Sequence, residues 1–303
     1  MELRHLETLL AIAEEGSFTA AADVLSTVQS NVSEQVRQLE TGLGAQLLVR
    51  GRRGAEATES GEVVLERARR IRRELEAMRA DLAMLQGLEV GQSSFGIVGT
   101  ASRWVVPQLV ARLRERAPGI RLRVVEAASE RLMSEVLGGE LAQAVVTEPV
   151  SDRRLVSETI LEEALVAVVP RDAQMPPPPV PLAAVARLGL VMPPRANPLR
   201  AEVEAAAAEQ GIELPINIEV EGIRLVADLV EAGVGGSVLP ETAVPGDLDV
   251  QLMPIAGMPP RRLAIVNARD AQLSFADRAV RDTTLAVVAE RMLPRGATAA
   301  RLR

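Results

Sequence analysis

Residues 27–40, TVQSNVSEQVRQLE, carry apolar side chains at the spacing of an α-helix. At 100° per residue the apolar positions fall within one narrow arc, and polar residues occupy the opposite side. The apolar positions are Val28, Val32, Val36 and Leu39. Ser26 and Gln29 have the spacing of a capping box at the start of this helix. The stretch therefore predicts a short amphipathic helix with a polar, exposed face.

Two further helices precede this stretch. Residues 2–15 place apolar side chains at helical spacing, and Gly16 is typical of a helix C-terminus. Ser17 has the position of an N-cap for a second short helix, FTAAADVL. Three short helices, the last two joined by a tight turn, are typical of a helix-turn-helix. A plain three-helix bundle with a solvated face fits the same pattern.

A small hairpin follows the helices. QLLVR (46–50) has the pattern of a strand, GRRG (51–54) of a tight turn, and AEAT (55–58) of a returning strand. An Arg-bearing wing of this kind reaches phosphates or the minor groove while the helix lies in the major groove. Helix and wing together favour double-stranded DNA as a partner. The residues predicted to contact DNA are Thr27, Gln29, Ser30, Asn31, Ser33, Glu34, Arg37, Arg50, Arg52 and Arg53.

A long helix is predicted over residues 59–86, with Thr58 as its N-cap. Apolar residues recur along it at alternating steps of four and three, which is the a/d seam of a coiled coil. The seam consists of Val64, Ala68, Ile71, Leu75, Met78, Leu82 and Leu85. We expect a homodimer through this helix, which places two recognition helices on the half-sites of a near-palindromic operator. The alternative is a helix that packs on its own chain.

Beyond Gly87 and VGQSS (90–94), strands and helices alternate, which predicts an α/β domain with a largely parallel sheet. AGVGGSVLP (232–240) follows a helix and precedes a strand. That order is wrong for a phosphate-binding glycine loop and indicates a helix end and a turn. MPPPPVP (175–181) is expected to form a stiff loop.

The chain resembles the LysR-type transcriptional regulators in both halves. The motifs that carry the resemblance are EEGSFTAAA, QSNVSEQVRQLE, VVPQLVARLRERAPGIRLRVVE and LVEAGVGGSVLP. The resemblance implies a multi-domain α plus α/β fold. Its parts are a winged helix-turn-helix, a long linker helix and a two-subdomain effector domain built like a type 2 periplasmic binding protein. It further implies recognition contacts by Gln29 and Ser33, and a homotetramer by analogy with the family.

Two positions depart from the family pattern. Glu34 stands where the family often has a basic residue, and Ala142 replaces the acid of the motif G.LD.A. Glu34 can accept a hydrogen bond from a cytosine amino group, repel phosphate, or pair with Arg37 or Gln38. We assign no consequence to Ala142.

The expected domains are a winged helix-turn-helix at 1–58, a dimerising linker helix at 59–87 and an effector-binding domain at 91–303. Within the last, subdomain I spans about 91–161 and 267–303, and subdomain II about 162–266. Two crossing strands would join the subdomains around a small molecule.

Ligands of such folds bind outside the carboxyl ends of the strands. The residues predicted to bind the effector on this basis and by family position are Thr100, Ala101, Ser102, Thr147, Arg195, Ile223 and Arg224. Free N–H groups at the start of the helix that follows the first strand can bind a carboxylate. Capping roles for Thr100 and Ser102 fit the same positions. Arg195 and Arg224 favour an anionic effector if they face the cleft, and are surface charges otherwise.

Composition limits the chemistry of the chain. It has no Cys, no Lys and one His, His5, so it lacks disulfides, a P-loop lysine and a multi-histidine metal site. We therefore predict no catalytic residue, cofactor or metal, although 41 acids leave an enzyme with a carboxylate pair as an alternative. A solute-binding protein is another alternative, but it would lack the first 86 residues and carry a signal peptide.

The expected function is sequence-specific DNA binding and transcription regulation modulated by a small effector. The net charge of −7 argues against an indiscriminate nucleic-acid binder. The longest uncharged run, 173–186, contains five prolines and is too short to span a membrane. We expect a cytoplasmic protein without membrane contact.

Overall fold

The computed structural model describes residues 1–51, 54–86 and 90–292 of the chain. These residues form two compact units. The first consists of Met1–Gln86 with Gly138–Glu140, and the second contains the remaining described residues. Each unit has its own apolar interior, so the local reasons for its fold can be given separately.

The first unit contains four helices and one hairpin among its described residues. They are α1 (Leu3–Glu15), α2 (Phe18–Val24), α3 (Gln29–Leu43), β1 (Leu48–Gly51), β2 (Gly54–Ala57) and α4 (Glu59–Leu85). Gly16 ends α1 in the left-handed conformation, with φ of 71°. The Ser17 side chain accepts a hydrogen bond from the Ala20 amide and caps α2. Thr58 caps α4 in the same way. All three helix boundaries agree with the sequence-based prediction.

The start of α3 differs from the prediction. Ser26 adopts a φ of 52°, and no capping box forms with Gln29. The left-handed turn at Ser26 delays the helix, so that Val28 becomes the N-cap residue and is 63% exposed. Val28 therefore does not belong to the buried arc. Val32 and Val36 do, together with Leu39, and all three are buried in the core of the first unit.

The beginning of α4 belongs to that same core. Leu65 and Ala68 are each 1% exposed, and Val64 packs against the core from its edge. The alternative reading of α4, packing on its own chain, therefore holds for its first turns. Ala68 must be removed from the proposed intermolecular seam because its side chain is already enclosed. Further along, Met78 and Leu82 are more than half exposed.

The second unit alternates strands and helices. Its elements are β3 (Val90–Ile97), α5 (Gly99–Arg116), β4 (Gly119–Glu126), α6 (Ser129–Gly138), β5 (Gln143–Thr147), β6 (Leu155–Glu163), β7 (Leu165–Pro170), α7 (Leu182–Ala186), β8 (Leu190–Met192), α8 (Pro198–Glu209), β9 (Ile216–Glu219), α9 (Ile223–Glu231), β10 (Ser237–Pro240), β11 (Val250–Pro254), β12 (Arg261–Ala268) and α10 (Phe275–Met292). Residues 232–236 form the expected turn between α9 and β10, and residues 175–181 lie between β7 and α7.

The sheets of this unit are mixed, and the expectation of a largely parallel sheet is wrong. The five-stranded sheet has the order β4-β3-β5-β12-β6, in which β3 is parallel to β4 and β5. Strand β12 is antiparallel to both of its neighbours. The second sheet, β10-β7-β11, is antiparallel throughout, and β8 pairs with β9 in parallel. The antiparallel pairs of the first sheet arise because β12 returns to it from the second core.

Two apolar cores lie in the second unit. One packs around β3, α5, β5 and α10, and the other around β7, α8, α9 and β10. The chain leaves the first sheet through β6 and returns through β12, and Glu163 at the end of β6 pairs with Arg261 at the start of β12. These two residues therefore mark the crossing between the cores.

Substitution of Gly61 can test how closely α4 approaches the rest of the first unit. A Cβ atom on Gly61 would lie 2.0 Å from the Leu47 carbonyl oxygen, whereas one on Gly42 in α3 would meet nothing within 4 Å. We expect Gly61→Ala to lower the stability of this unit by about 1–3 kcal/mol, since the backbone must shift. Gly42→Ala should be neutral or stabilising by up to about 1 kcal/mol. Thermal unfolding of both variants measures this, and equal melting temperatures would contradict the close approach.

Candidate nucleic-acid interface and ligand cleft

The exposed face of α3 carries short polar side chains at its N-terminal end. Gln29, Ser30 and Asn31 are exposed, and Ser33 is half-buried. The Gln29 amide donates a hydrogen bond to Ser33 Oγ at 3.3 Å, and the Asn31 amide donates to Thr27 Oγ1 at 2.9 Å. These bonds hold the side chains along the helix. The arrangement offers donors and acceptors to a partner that approaches this end of α3.

Glu34 pairs with its neighbours on the same helix. Arg37 donates to both Glu34 carboxylate oxygens, at 2.8 and 2.6 Å, and the Gln38 amide donates at 2.8 Å. These bonds, that of Arg37 first, lower the pKa of Glu34 to about 2. Of the three roles that the sequence left open for Glu34, the unbound structure realises the pairing. The charges of Glu34 and Arg37 compensate each other on the exposed face.

The hairpin of β1 and β2 lies against the turn between α1 and α2. The Ala55 amide donates to the Gly16 carbonyl at 2.9 Å. A Cβ on Gly54 would lie 2.2 Å from the same carbonyl oxygen, so only glycine allows this approach. Arg50 pairs with Ala55 in the hairpin. The predicted contacts Arg52 and Arg53 lie outside the described residues.

The second unit contains a cleft of about 460 Å³ between its two cores. The ends of β3, β4 and β5 contribute to one wall, and residues before α8 and α9 form the other. The cleft is lined by Val98, Gly99, Thr100, Arg103, Glu126, Ala127, Ala128, Ser129, Thr147, Pro194, Ala196, Asn197, Pro198, Leu199, Glu221, Gly222, Ile223, Arg224 and Arg261. A volume of this size is typical of small-molecule sites.

The structure brings four of the seven predicted effector residues to the cleft. They are Thr100, Thr147, Ile223 and Arg224. Ala101, Ser102 and Arg195 are not among the lining residues. Ala101 is 1% exposed because it faces the core in the first turn of α5, and the Ser102 hydroxyl is turned toward Glu126. For Arg195 only its two neighbours in sequence reach the cleft. These three positions therefore lack the expected direct access.

Sequence reasoning missed several charged and polar lining residues, among them Arg103, Glu126, Asn197, Glu221 and Arg261. Glu126 ends β4 as Thr147 ends β5, so the rule that selected Thr147 would also have found it. Arg261 begins a strand whose neighbour in the sheet is not evident from sequence. Nothing in the local pattern marks it.

Arg261 lies at the base of the cleft beside the buried Glu163 and the half-buried Glu202. Its guanidinium donates to Thr147 Oγ1, and its Nε lies 3.5 Å from Glu163 Oε1 and 3.9 Å from Glu202 Oε2. Burial raises the pKa of both carboxyls, and the attraction of Arg261 opposes that rise. Arg224, by contrast, forms an ion pair with Asp228 one helical turn away, at 2.5 Å.

Comparison with known proteins identifies both units. Residues 3–62 match the model for the bacterial regulatory helix-turn-helix protein, lysR family. Residues 86–289 match the model for the LysR substrate binding domain, which covers more than half of the chain.

The chain belongs to the LysR family of bacterial transcriptional regulators. It is 33% identical over 244 residues to the nitrogen assimilation regulatory protein nac of Klebsiella aerogenes, a match that covers 80% of this chain and 79% of that protein. It is 30% identical over 254 residues to the regulator BbuR of Bordetella bronchiseptica, with 82% and 78% covered. These relatives are transcriptional regulators rather than enzymes. This LysR-family chain is likewise a DNA-binding regulator with an effector-binding domain.

Solved structures share the fold of this LysR-family chain. A variant of full-length OxyR from Pseudomonas aeruginosa has a TM-score of 0.70 at 21% identity, and the match covers 95% of this chain and 97% of that one. Full-length CbnR in complex with its target DNA has a TM-score of 0.65 at 23% identity, with 96% and 99% covered. None of the helices within the described ranges has the length and apolar character that a membrane crossing requires.

The Glu34 pair of this regulator can be tested by titration. The Glu34 pKa of about 2 means that the pair with Arg37 persists at neutral pH and is lost only as the pH falls through that value. We expect carboxyl NMR to give this pKa in the unbound protein. Arg37→Ala should return it toward the ordinary value of about 4.3. A wild-type Glu34 that titrates at the ordinary value would contradict the pairing.

Proposed function

We propose that this regulator reads its operator with the polar face of α3 and responds to a small acidic effector in the cleft. The division into DNA-binding residues 1–58, linker helix 59–87 and effector domain 91–303, with the two subdomains as expected, is part of the proposal. So are the assembly of two chains, or four by family analogy, and a cytoplasmic location. The single observation that carries the proposal is the orientation of α3. Its apolar arc is buried and its polar face is free.

The N-terminal end of α3 suits the floor of the major groove. The Gln29 side-chain amide can donate one hydrogen bond and accept another in the same plane. This matches the N7 acceptor and the N6 donor that adenine presents in the major groove. Ser30 and Ser33 are short enough for close approach to bases or phosphates. Among the described residues no side chain caps the N-terminus of α3, so its backbone N–H groups and positive dipole end favour a phosphate. We assign positioning contacts to Thr27 and Asn31, which hydrogen-bond each other beside this end.

The wing would add contacts to the backbone of the DNA. Arg50, Arg52 and Arg53 are the only basic residues in the hairpin sequence. The hydrogen bond between Ala55 and Gly16 fixes the hairpin to the helical core, so a helix docked in the major groove brings the wing to a neighbouring phosphate or the minor groove. These arginines would contribute affinity and salt dependence without reading the sequence.

The Glu34–Arg37 pair would favour selectivity over affinity. Because Glu34 compensates Arg37, the exposed face of α3 has little attraction for phosphates in general. A cognate site must then supply contacts that exceed the repulsion of Glu34.

Glu34→Gln tests this role while preserving side-chain size. The variant frees Arg37 and should raise affinity for unrelated DNA several-fold more than affinity for the operator, so the ratio of the two affinities falls. Fluorescence anisotropy at fixed salt measures both. Glu15→Gln removes an equal charge from the exposed end of α1 and should leave the ratio unchanged. If Glu34→Gln also leaves it unchanged, Glu34 is only a solvated surface charge.

The exposed stripe of α4 would form the dimer. Ile71 is 40% exposed, Met78 53%, Leu82 54% and Leu85 84%. Large apolar side chains repeated on one helix are costly in water, and a second copy of α4 would bury them at the predicted a/d spacing. Leu75 remains in the proposed seam as a half-buried position, whereas Val64 leaves it with Ala68 because it packs against the core of its own unit.

Leu82→Glu tests the proposed seam. It places a charge in the middle of the apolar stripe and should weaken association at least tenfold, as measured by analytical ultracentrifugation. Glu74→Gln alters a charged position of the same helix and serves as control. Unchanged association of Leu82→Glu would exclude α4 as the main dimer contact.

The charges of the cleft favour an effector with an acidic group. Its lining includes Arg103, Arg224 and Arg261 against Glu126 and Glu221. Arg224 is already paired with an acid on its own helix, whereas Arg261 Nη1 meets no acceptor among the described residues, so Arg103 and Arg261 are the better candidates. Binding would shift the regulator between states of different DNA affinity only to the extent that the effector prefers one of them.

A further inference from the structure

A carboxylate of the chain itself already occupies the start of α5. The Ser102 hydroxyl donates a hydrogen bond to Glu126 Oε2. A Cβ on Gly99 would lie 3.0 Å from Glu126 Oε1, so the carboxylate lies over the first residue of the helix. The N-cap residue Val98 has an apolar side chain and makes no capping hydrogen bond, so it does not compete for this position. Glu126 therefore fills the place where a helix N-terminus would otherwise attract an anionic ligand.

The position of Glu126 changes what the wall formed by the ends of β3, β4 and β5 can bind. Glu126 lines the cleft, and its environment shows no basic partner among the hydrogen bonds and ion pairs of the described residues. A second carboxylate placed beside it would be repelled, whereas a group with positive charge and N–H donors would be attracted. The wall at Glu126 thus favours a cationic group on the effector.

The acidic group of the effector has a different place, at Arg261. This side chain is 4% exposed and lines the cleft. Its Nη2 donates to Thr147 Oγ1, and within the described residues no hydrogen-bond acceptor meets its Nη1. The closest approaches of Glu163 and Glu202 are to Nε, on the other side of the guanidinium. A buried donor without a partner is costly, and an effector carboxylate would satisfy it.

Thr100 adds a second unpartnered group to the same cleft. Thr100 is 7% exposed, and its Oγ1 has no hydrogen-bond partner in the part of the chain that the structure describes. It belongs to the first turn of α5, close in sequence to the position that Glu126 covers. A hydroxyl can accept from an ammonium group or donate to a carboxylate, so it suits either end of a ligand with both charges.

We propose that the effector is a small zwitterion, of the size of an amino acid, whose ammonium group is bound by Glu126 and whose carboxylate is bound by Arg261. The inference rests on the proposed role of the cleft as the effector site and narrows the effector class. A cleft volume of about 460 Å³ accommodates such a molecule. Arg103, Glu221 and Arg224 are the other charged residues of the lining, and they can select among effector side chains.

The test uses the full-length protein and the twenty standard L-amino acids. Each is screened by thermal unfolding, because a ligand that binds only the folded state raises the melting temperature. For each amino acid that does so, calorimetry compares its affinity with that of the matched acid without the amino group and the matched amine without the carboxylate. We expect at least one amino acid to bind, and both matched analogues to bind about tenfold more weakly or worse.

Glu126→Gln identifies the group that recognises the ammonium. It retains the shape of the side chain and should reduce the preference for the amino acid over its deaminated analogue by about tenfold. Glu130→Gln removes an exposed carboxylate of α6 outside the cleft lining and should leave that preference unchanged. Arg261→Lys keeps the charge but loses the second donor pair, and should weaken the amino acid and the deaminated acid alike.

Three results would overturn the proposal. They are a screen in which no amino acid raises the melting temperature, tighter binding of the deaminated acids, and a preference that Glu126→Gln does not alter. Retardation of operator DNA is measured on the same samples. If the protein still binds its operator while one of these results is obtained, only the zwitterion assignment fails. Loss of operator binding by the wild-type chain would instead contradict the proposed function.

Discussion

The burial of Val32, Val36 and Leu39 against the helices of the first unit determines which side chains of α3 face the core and which face solvent. Each such side chain contributes roughly 1.5–3 kcal/mol when it leaves water, far more than any single contact on the exposed face. A rotation of the helix that exposed this arc would therefore be disfavoured. Because the apolar residues of α3 must face the core, the polar residues on the opposite side of the helix remain exposed. The candidate DNA interface is a consequence of core packing.

In the second unit, the fold likewise determines which groups face the cleft, but here the deciding interaction is a buried ion pair rather than apolar burial. The strands that cross between the two cores bring Arg261 beside Glu163, and burial makes each of them costly without the other. That crossing also brings Arg261 to the base of the cleft. The same guanidinium that pairs with Glu163 in the fold therefore also lines the ligand cleft. Arg261 is consequently both a structural element and a recognition element.

Sequence reasoning was accurate where a single residue determines local backbone geometry. Gly16, Ser17 and Thr58 end or begin helices as predicted, because left-handed glycine and side-chain capping act within a few residues. It failed at Ser26, where an unusual backbone conformation displaced the start of α3. No pattern in the sequence indicates a positive φ at a serine.

The lining of the cleft was predictable only in part, because much of it depends on contacts between residues that are distant in sequence. Strand ends such as Thr147 are visible in a pattern of alternating elements, whereas the pairing of β12 with β5 and β6 depends on tertiary topology. Arg261 could not be assigned without that topology. The resemblance to a family supplied the order of the domains, but the charges that line this particular cleft came from the positions of its own side chains.

We propose that the first unit recognises a specific DNA sequence through α3. A gel-shift titration of the full-length protein with the DNA upstream of its own gene, against an unrelated fragment of equal length, tests it most directly. We expect retardation of the upstream fragment that survives excess unrelated competitor, and loss of that preference in Gln29→Ala combined with Ser33→Ala. Equal retardation of both fragments, or a preference that the double variant retains, would contradict it.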